Sequence, residues 1–209
     1  PCAESFWGSD SGTYWDFPGS LGKGGCISAT SQFPAAGSSA VYSDVPDGEV
    51  VEKGGAAQHL RGAGSSGGTL TSSSTNYATR PLKTCDPSNC STLTDFNIAN
   101  SAITQALLGV STADDRDALI DWVRGKDNYE DENTNDSVTE VRPSVHGDVV
   151  HSQPGVIDFG GSTGVVAFYG SNEGVLHAVN ANKTGSSAGS EIWGFIAPET
   201  YGRLKRLRN

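Results

Sequence analysis

Between Val145 and Ile196 the chain alternates short apolar runs with turns. The runs are Val145–Val150, Gly155–Phe159, Val165–Tyr169, Val175–Asn180 and Glu191–Ile196, and the separators read QPG, GGST, SNEG and NKTGSSAG. Each run is strand-length and rich in β-branched and aromatic residues, and each separator is turn chemistry. This part of the chain can therefore hardly be anything but β. The stretch YGSNEGVLHAVNANKTG, from Tyr169 to Gly185, looks like one unit of a repeating array, yet no second copy occurs.

Upstream the signals are weaker. Residues 1–46 scatter aromatics (Phe6, Trp7, Tyr14, Trp15, Phe17, Phe33) among Gly, Ser and Pro with no sustained period, as expected of loops with short strands. A short strand follows at Glu49–Lys53, and a short helix is expected from Gly54 to Leu60. Residues 62–76, GAGSSGGTLTSSSTN, offer too little apolar surface to offset the entropy of ordering, so a surface loop or linker is expected. Thr79–Lys83 reads as a strand.

Two helices are expected next. In 97–108, Ile98, Ala102, Ile103, Ala106 and Leu107 share one helical face before Gly109. In 113–124, Thr112 to Asp115 forms a capping box, acidic residues crowd the first turn, and Ala118, Leu119, Trp122 and Val123 form the apolar stripe. Pro198 opens a short terminal helix. The expected organisation is thus an irregular segment 1–46, a loop-rich segment 47–140 with two helices, and a strand-rich segment 141–209.

The 209 residues carry 24 Asp+Glu against 14 Lys+Arg, a formal net charge of −10, which disfavours a nucleic-acid partner. The one basic cluster, Arg203 to Arg208, stands at the C-terminal end. No run approaches the ~20 apolar residues of a membrane helix. The start at Pro1 and the absence of Met are what a processed or proteolysed product would show. Cys85 and Cys90 bracket a Pro-containing turn and fit a small disulfide loop, which leaves Cys2 and Cys26 as the remaining pair. An even cysteine count in a loop-rich chain favours an oxidising compartment; four reduced, unrelated thiols are the competing reading.

Candidate chemistry is sparse. The acidic loop 127–140 offers Asp127, Asp131, Asn133 and Asn135 as oxygen ligands for calcium, with the 1-3-5 spacing Asp131-x-Asn133-x-Asn135. It lacks the sixth-position Gly, and Arg142 stands where the bidentate Glu belongs, so a solvated acidic loop competes with a weak Ca²⁺ site. His146 and Asp148 share a face of an extended strand while His151 lies on the other, and two ligands do not make a metal site. His59 and His177 read as structural, and Trp193 as a packing residue. Asn89, Asn135 and Asn182 match the glycosylation sequon at a frequency chance explains. No nucleophile elbow, Walker loop or dinucleotide fingerprint occurs, and no catalytic constellation is expected.

The segment VVAFYGSNEGVLHAVNANKTG, continued by EIWGFIAPE with Trp193, resembles a blade of a quinoprotein-type β-propeller. Four further segments occur in an order that resembles the PilY/PilC family of type IV pilus tip-associated proteins. They are Gly54–Ala57, the Cys85–Cys90 loop running into Asp95-Phe96-Asn97, Leu119–Gly125 before the acidic loop, and Arg142–Ser152. The likeness spans about residues 45–209.

It implies a mainly β fold with two short helices. About one blade of an incomplete β-propeller would follow a loop-rich, disulfide-containing region. It also implies an extracellular, pilus-associated role in adhesion, biogenesis and twitching motility. The implied partners are pilins, a host or abiotic surface, or another copy of the chain through strands 165–169, 175–180 or 191–196. The chain departs from that family in showing no von Willebrand-type metal site and about one blade. Two other readings stand beside it: a fragment of a quinone-dependent dehydrogenase, and a secreted calcium-binding module.

Overall fold

The structure, a computed structural model, describes residues 55–60, 76–128, 138, 141–142 and 145–208. Its centre is an open six-stranded mixed sheet in the order β2-β1-β6-β5-β4-β3. The strands are β1 (Leu82–Asp86), β2 (Asn89–Asp95), β3 (Gly155–Asp158), β4 (Val165–Gly170), β5 (Val175–Asn180) and β6 (Glu191–Ile196). The four C-terminal strands form an antiparallel meander. The β1–β2 hairpin joins it through a parallel pairing of β1 with β6, in which Leu82 lies beside Gly194 and Lys83 beside Phe195. One sheet thus unites strands from both sides of the acidic loop.

All helices described pack on one face of this sheet or around its rim. They are α1 (Gly55–Leu60), α2 (Asn76–Thr79), α3 (Gln105–Leu108), α4 (Ala113–Arg124) and α5 (Tyr201–Arg208), the last preceded by a 3-10 turn over Pro198–Thr200. The expectation of two short helices was therefore too few. The core gathers Leu82, Val175 and Ile196 from the sheet, Leu119 and Trp122 from α4, and Tyr201 from α5. Tyr201 shares a 2.5 Å hydrogen bond with Thr84, tying α5 to β1.

Helix α4 forms as the sequence predicts. The Thr112 hydroxyl accepts from the Asp115 amide at 3.0 Å, and Gly125 closes the helix with φ 119°. The helix expected over 97–108 contracts to Gln105–Leu108, with Thr104 as its N-cap. The physical reason lies in the asparagines. Asn97 Oδ1 accepts from the Ala99 amide at 3.0 Å and Asn100 Oδ1 from the Ala102 amide at 3.1 Å, two turns that compete with helix. Arg116 then donates to the carbonyls of Ile98, Asn100 and Ile103, fixing the irregular path. Ile98 is left exposed, while Ile103 and Leu108 are buried.

Three further expectations are corrected. Residues 145–150 are not a strand: no ladder forms there, and the segment is held as a bend, with the Asp148 carbonyl accepting from the Asn172 amide. Strands β4, β5 and β6, expected to pair with another chain, are paired on both sides within this sheet. Among the described residues the edge strands are β2 and β3. The strand expected at 79–83 begins instead at Leu82. The strand at 49–53, the linker at 62–75 and the irregular segment 1–46 lie outside the described residues.

Candidate functional site

Strand alternation gives the sheet two unlike faces. The register Tyr169↔His177↔Gly194 puts the three on the helix-covered face. There they meet Glu191 from the start of β6, Glu173 from the β4–β5 turn, Arg80 from the approach to β1, and His146 from the bend. Gly194 is the residue that leaves room for this cluster. A Cβ on it would lie 2.7 Å from Leu82 Cδ1 and 3.1 Å from Glu191 Oε1.

The cluster is a chain of ion pairs running Arg80–Glu191–His177–Glu173. Arg80 Nε donates to Glu191 Oε2 at 2.7 Å and Arg80 Nη2 to Oε1 at 2.9 Å, a bidentate fork with both side chains almost fully buried. Arg80 Nη1 also donates to the Val123 carbonyl at 3.3 Å, so one guanidinium ties the end of α4 to β6. His177 Nδ1 donates to Glu191 Oε1 at 2.7 Å, and its Nε2 lies 3.0 Å from Glu173 Oε1 and 2.7 Å from Ser171 Oγ. Burial alone would lower the His177 pKa; the hydrogen bonds to Glu173 and Glu191 outweigh it and raise it. Burial likewise pushes Glu173 up, but His177 and the charge near it bring its pKa down to about 2. Glu191, despite its burial, is held far below the carboxylate range by Arg80 and His177.

His146 completes the cluster in the opposite state. Burial lowers its pKa, and the neighbouring His177 charge lowers it further. Its ring stacks on His177 at 4.6 Å, its Nδ1 donates to the Gly147 carbonyl at 2.9 Å, and its Nε2 accepts from the Tyr169 hydroxyl at 2.9 Å. The two stacked rings are thus pushed in opposite directions, His146 toward the neutral imidazole and His177 toward the imidazolium. Gly147 fits closely under Glu173, since a Cβ on it would lie 2.0 Å from Glu173 Oε2.

Ser171, His177 and Glu191 have the connectivity of a nucleophile, a base and an orienting acid. Their protons are placed otherwise. A carboxylate faces each His177 nitrogen, which favours a proton on both; Ser171 Oγ then accepts from Nε2 while its own hydroxyl donates to the Val175 carbonyl at 3.2 Å. Two flanking carboxylates draw the His177 ring toward its protonated form. These contacts tie β5, β6, the β4–β5 turn and the end of α4 together.

The other face is apolar and partly exposed. The registers Phe168↔Ala178↔Trp193 and Leu176↔Phe195 set these residues there, with Phe168 5.9 Å from Trp193 and 6.4 Å from Phe159 between ring centroids. Toward β2 the stripe opens into a groove of about 360 Å³ lined by Lys83, Leu93, Leu176, Trp193 and Phe195. Leu93 is 63% exposed and Phe159 56%. No described helix covers this face.

Of the residues singled out in the sequence, Cys85 and Cys90 form a disulfide across the β1–β2 turn. Cys2, Cys26, Asp131, Asn133 and Asn135 lie outside the described residues. Asp127 is fully buried at the exit of α4. Among the described residues no group of three or more His, Cys, Asp or Glu side chains could hold a metal. His146 and Asp148 do not converge, because Asp148 points to solvent while His146 turns to Tyr169. His59 donates to the Ala188 carbonyl at 2.8 Å. Arg80, Glu173 and Glu191 escaped sequence reasoning; the one signal was a glutamate heading an otherwise apolar strand. Comparison with protein-family models, curated proteins and solved structures finds no match for this chain.

Proposed function

We propose that the chain is an extracellular structural or adhesive component of the type IV pilus system, similar to PilY/PilC proteins, and that it works through sheet surfaces rather than a reaction centre. The observation that carries this reading is the partly exposed aromatic stripe Phe159–Phe168–Trp193 on the sheet face opposite the helices. An exposed apolar surface of this size and continuity is costly in water unless something associates with it. The Cys85–Cys90 disulfide fits assembly in an oxidising compartment, and no described helix is long and apolar enough to cross a membrane. Within this reading the antiparallel meander β3–β6 is the blade-like unit of the family, extended by the β1–β2 hairpin. Its partners are pilins or further copies of the chain.

The test is co-sedimentation of the purified chain with sheared type IV pili, with bare flagella as control. Retention on pili alone, lost in a Phe168→Ser/Trp193→Ser variant that keeps its circular dichroism, supports the proposal. Equal retention on both filaments, or retention unchanged in the variant, rejects it.

A further inference from the structure

The two edge strands of the sheet, with no further strand beside either among the described residues, differ in kind. Along β2 the exposed residues include Ser91, Thr92 and Thr94, Lys83 pairs with Asp95, a bulge breaks the β1–β2 register and a disulfide closes the turn. These features blunt an edge. Strand β3 has neither bulge nor disulfide, and its one charged residue is Asp158. It contains no Lys or Pro and leaves Val156 62% and Ile157 49% exposed.

The outward hydrogen-bonding groups of β3 can be assigned. The Phe159 amide donates to the Gly164 carbonyl at 2.8 Å across the β3–β4 hairpin. In an antiparallel pair the inward groups alternate, so Gly155, Ile157 and Phe159 turn their backbone toward β4. Val156 and Asp158 therefore turn theirs outward, along the open edge.

We propose that β3 is a self-association edge, pairing antiparallel with β3 of a second copy about a two-fold axis through Ile157. The inference rests on the reading that the chain acts through its sheet surfaces, and it names the edge, the register and the partner. The register follows from three constraints, one being that both outward residues of each strand, Val156 and Asp158, are engaged. Opposed residues must lie on the same face, and outward groups must meet outward groups, so Val156 faces the partner's Asp158 and the reverse. That makes four backbone hydrogen bonds, with Ile157 against the partner's Ile157 as a close, non-hydrogen-bonded pair. Gly155 then faces the partner's Phe159. The space over Gly155 is empty to 4 Å, room for the aromatic ring that arrives.

Side-chain chemistry agrees with this register. Ile157 and Phe159 share the face of Phe168 and Trp193, so the aromatic stripe would run unbroken from one copy into the next. The two Asp158 carboxylates sit at opposite ends of the short ladder rather than facing each other. A net charge of −10 on each copy opposes association at long range, and salt screens that repulsion.

The test uses the purified chain without pili, so its result is separate from the pilus assignment. Sedimentation equilibrium should show a dimer whose population rises with NaCl. Ile157→Cys, oxidised in a glutathione buffer, should form a covalent dimer that wild type does not. Val156→Cys should not, because in this register the two Val156 Cα atoms lie beyond the ~7 Å a disulfide can span. Ile157→Lys should leave the circular dichroism unchanged and weaken the dimer by about tenfold or more. A chain monomeric at every salt concentration overturns the proposal. So does covalent dimer formed equally well by the two cysteine variants, or a dimer indifferent to Ile157→Lys.

Discussion

Glu191 Oε1 accepts from His177 Nδ1 at 2.7 Å and from Arg80 Nη2 at 2.9 Å, so one buried carboxylate oxygen joins β5, β6 and the residue that enters β1. Removing it leaves the buried Arg80 without its counter-charge and His177 with Glu173 alone. Glu191→Ala is expected to cost about 3–5 kcal/mol, the range for breaking a buried pair by deleting one partner. Urea denaturation at neutral pH measures this; a loss under about 1 kcal/mol, the range of exposed pairs, contradicts the burial argument.

The two stacked histidines should respond to pH in opposite senses. The folded-state pKa of His177 is raised above the ordinary 6.5, so its protonation stabilises the fold. That contribution is complete below pH 6.5 and is lost as pH rises through the raised value. The His146 pKa is lowered, so its contribution is complete above pH 6.5 and is lost as pH falls through the lowered value. The stability gap between wild type and His177→Gln should therefore shrink as pH climbs above neutrality. Nitrogen-15 spectra at pH 7 should show both His177 nitrogens protonated and only one on His146. A gap constant with pH, or a neutral His177, rejects the ion-pair chain.

How much of this was legible in the sequence depends on range. The meander strands from β4 to β6, helix α4 and the Cys85–Cys90 loop follow from local periodicity, turn chemistry and a capping box. The helix over 97–108 failed because Asn97 and Asn100 bond their own backbone and Arg116, more than a turn away, fixes the result. The 145–150 run failed because a β-like pattern makes a strand only beside a partner, and this one meets the β4–β5 turn instead. The ion-pair chain was illegible for the same reason. Arg80 and Glu191 are 111 residues apart, and only the parallel β1–β6 pairing brings them together.

The two tryptophans of the described region should differ sharply. Trp122 is 6% exposed, packed among core side chains with the Arg142 guanidinium 3.9 Å over its ring. Trp122→Ala should cost about 3–5 kcal/mol, as for large core truncations. Trp193 stands on the open face and is only partly buried. Trp193→Ala should cost markedly less in urea midpoint while abolishing most binding of a dye that reports exposed apolar surface. Equal costs at the two sites would place Trp193 in a core rather than on a surface.

Reducing the Cys85–Cys90 bond should act locally. The bridge spans a separation of 5 residues at the tip of the β1–β2 hairpin. Closing so short a loop stabilises by about 2 kcal/mol in the chain-entropy account. Strand β2 is exposed along its whole length and held on one side only, whereas β1 is locked into the core through Leu82 and Thr84. In a Cys85→Ser/Cys90→Ser variant, amide exchange should therefore speed up in β2 first, with β5 and β6 still protected to near the global stability. If β5 loses protection in step with β2, the hairpin and the meander unfold as one unit, and the bridge is a global staple rather than a local one.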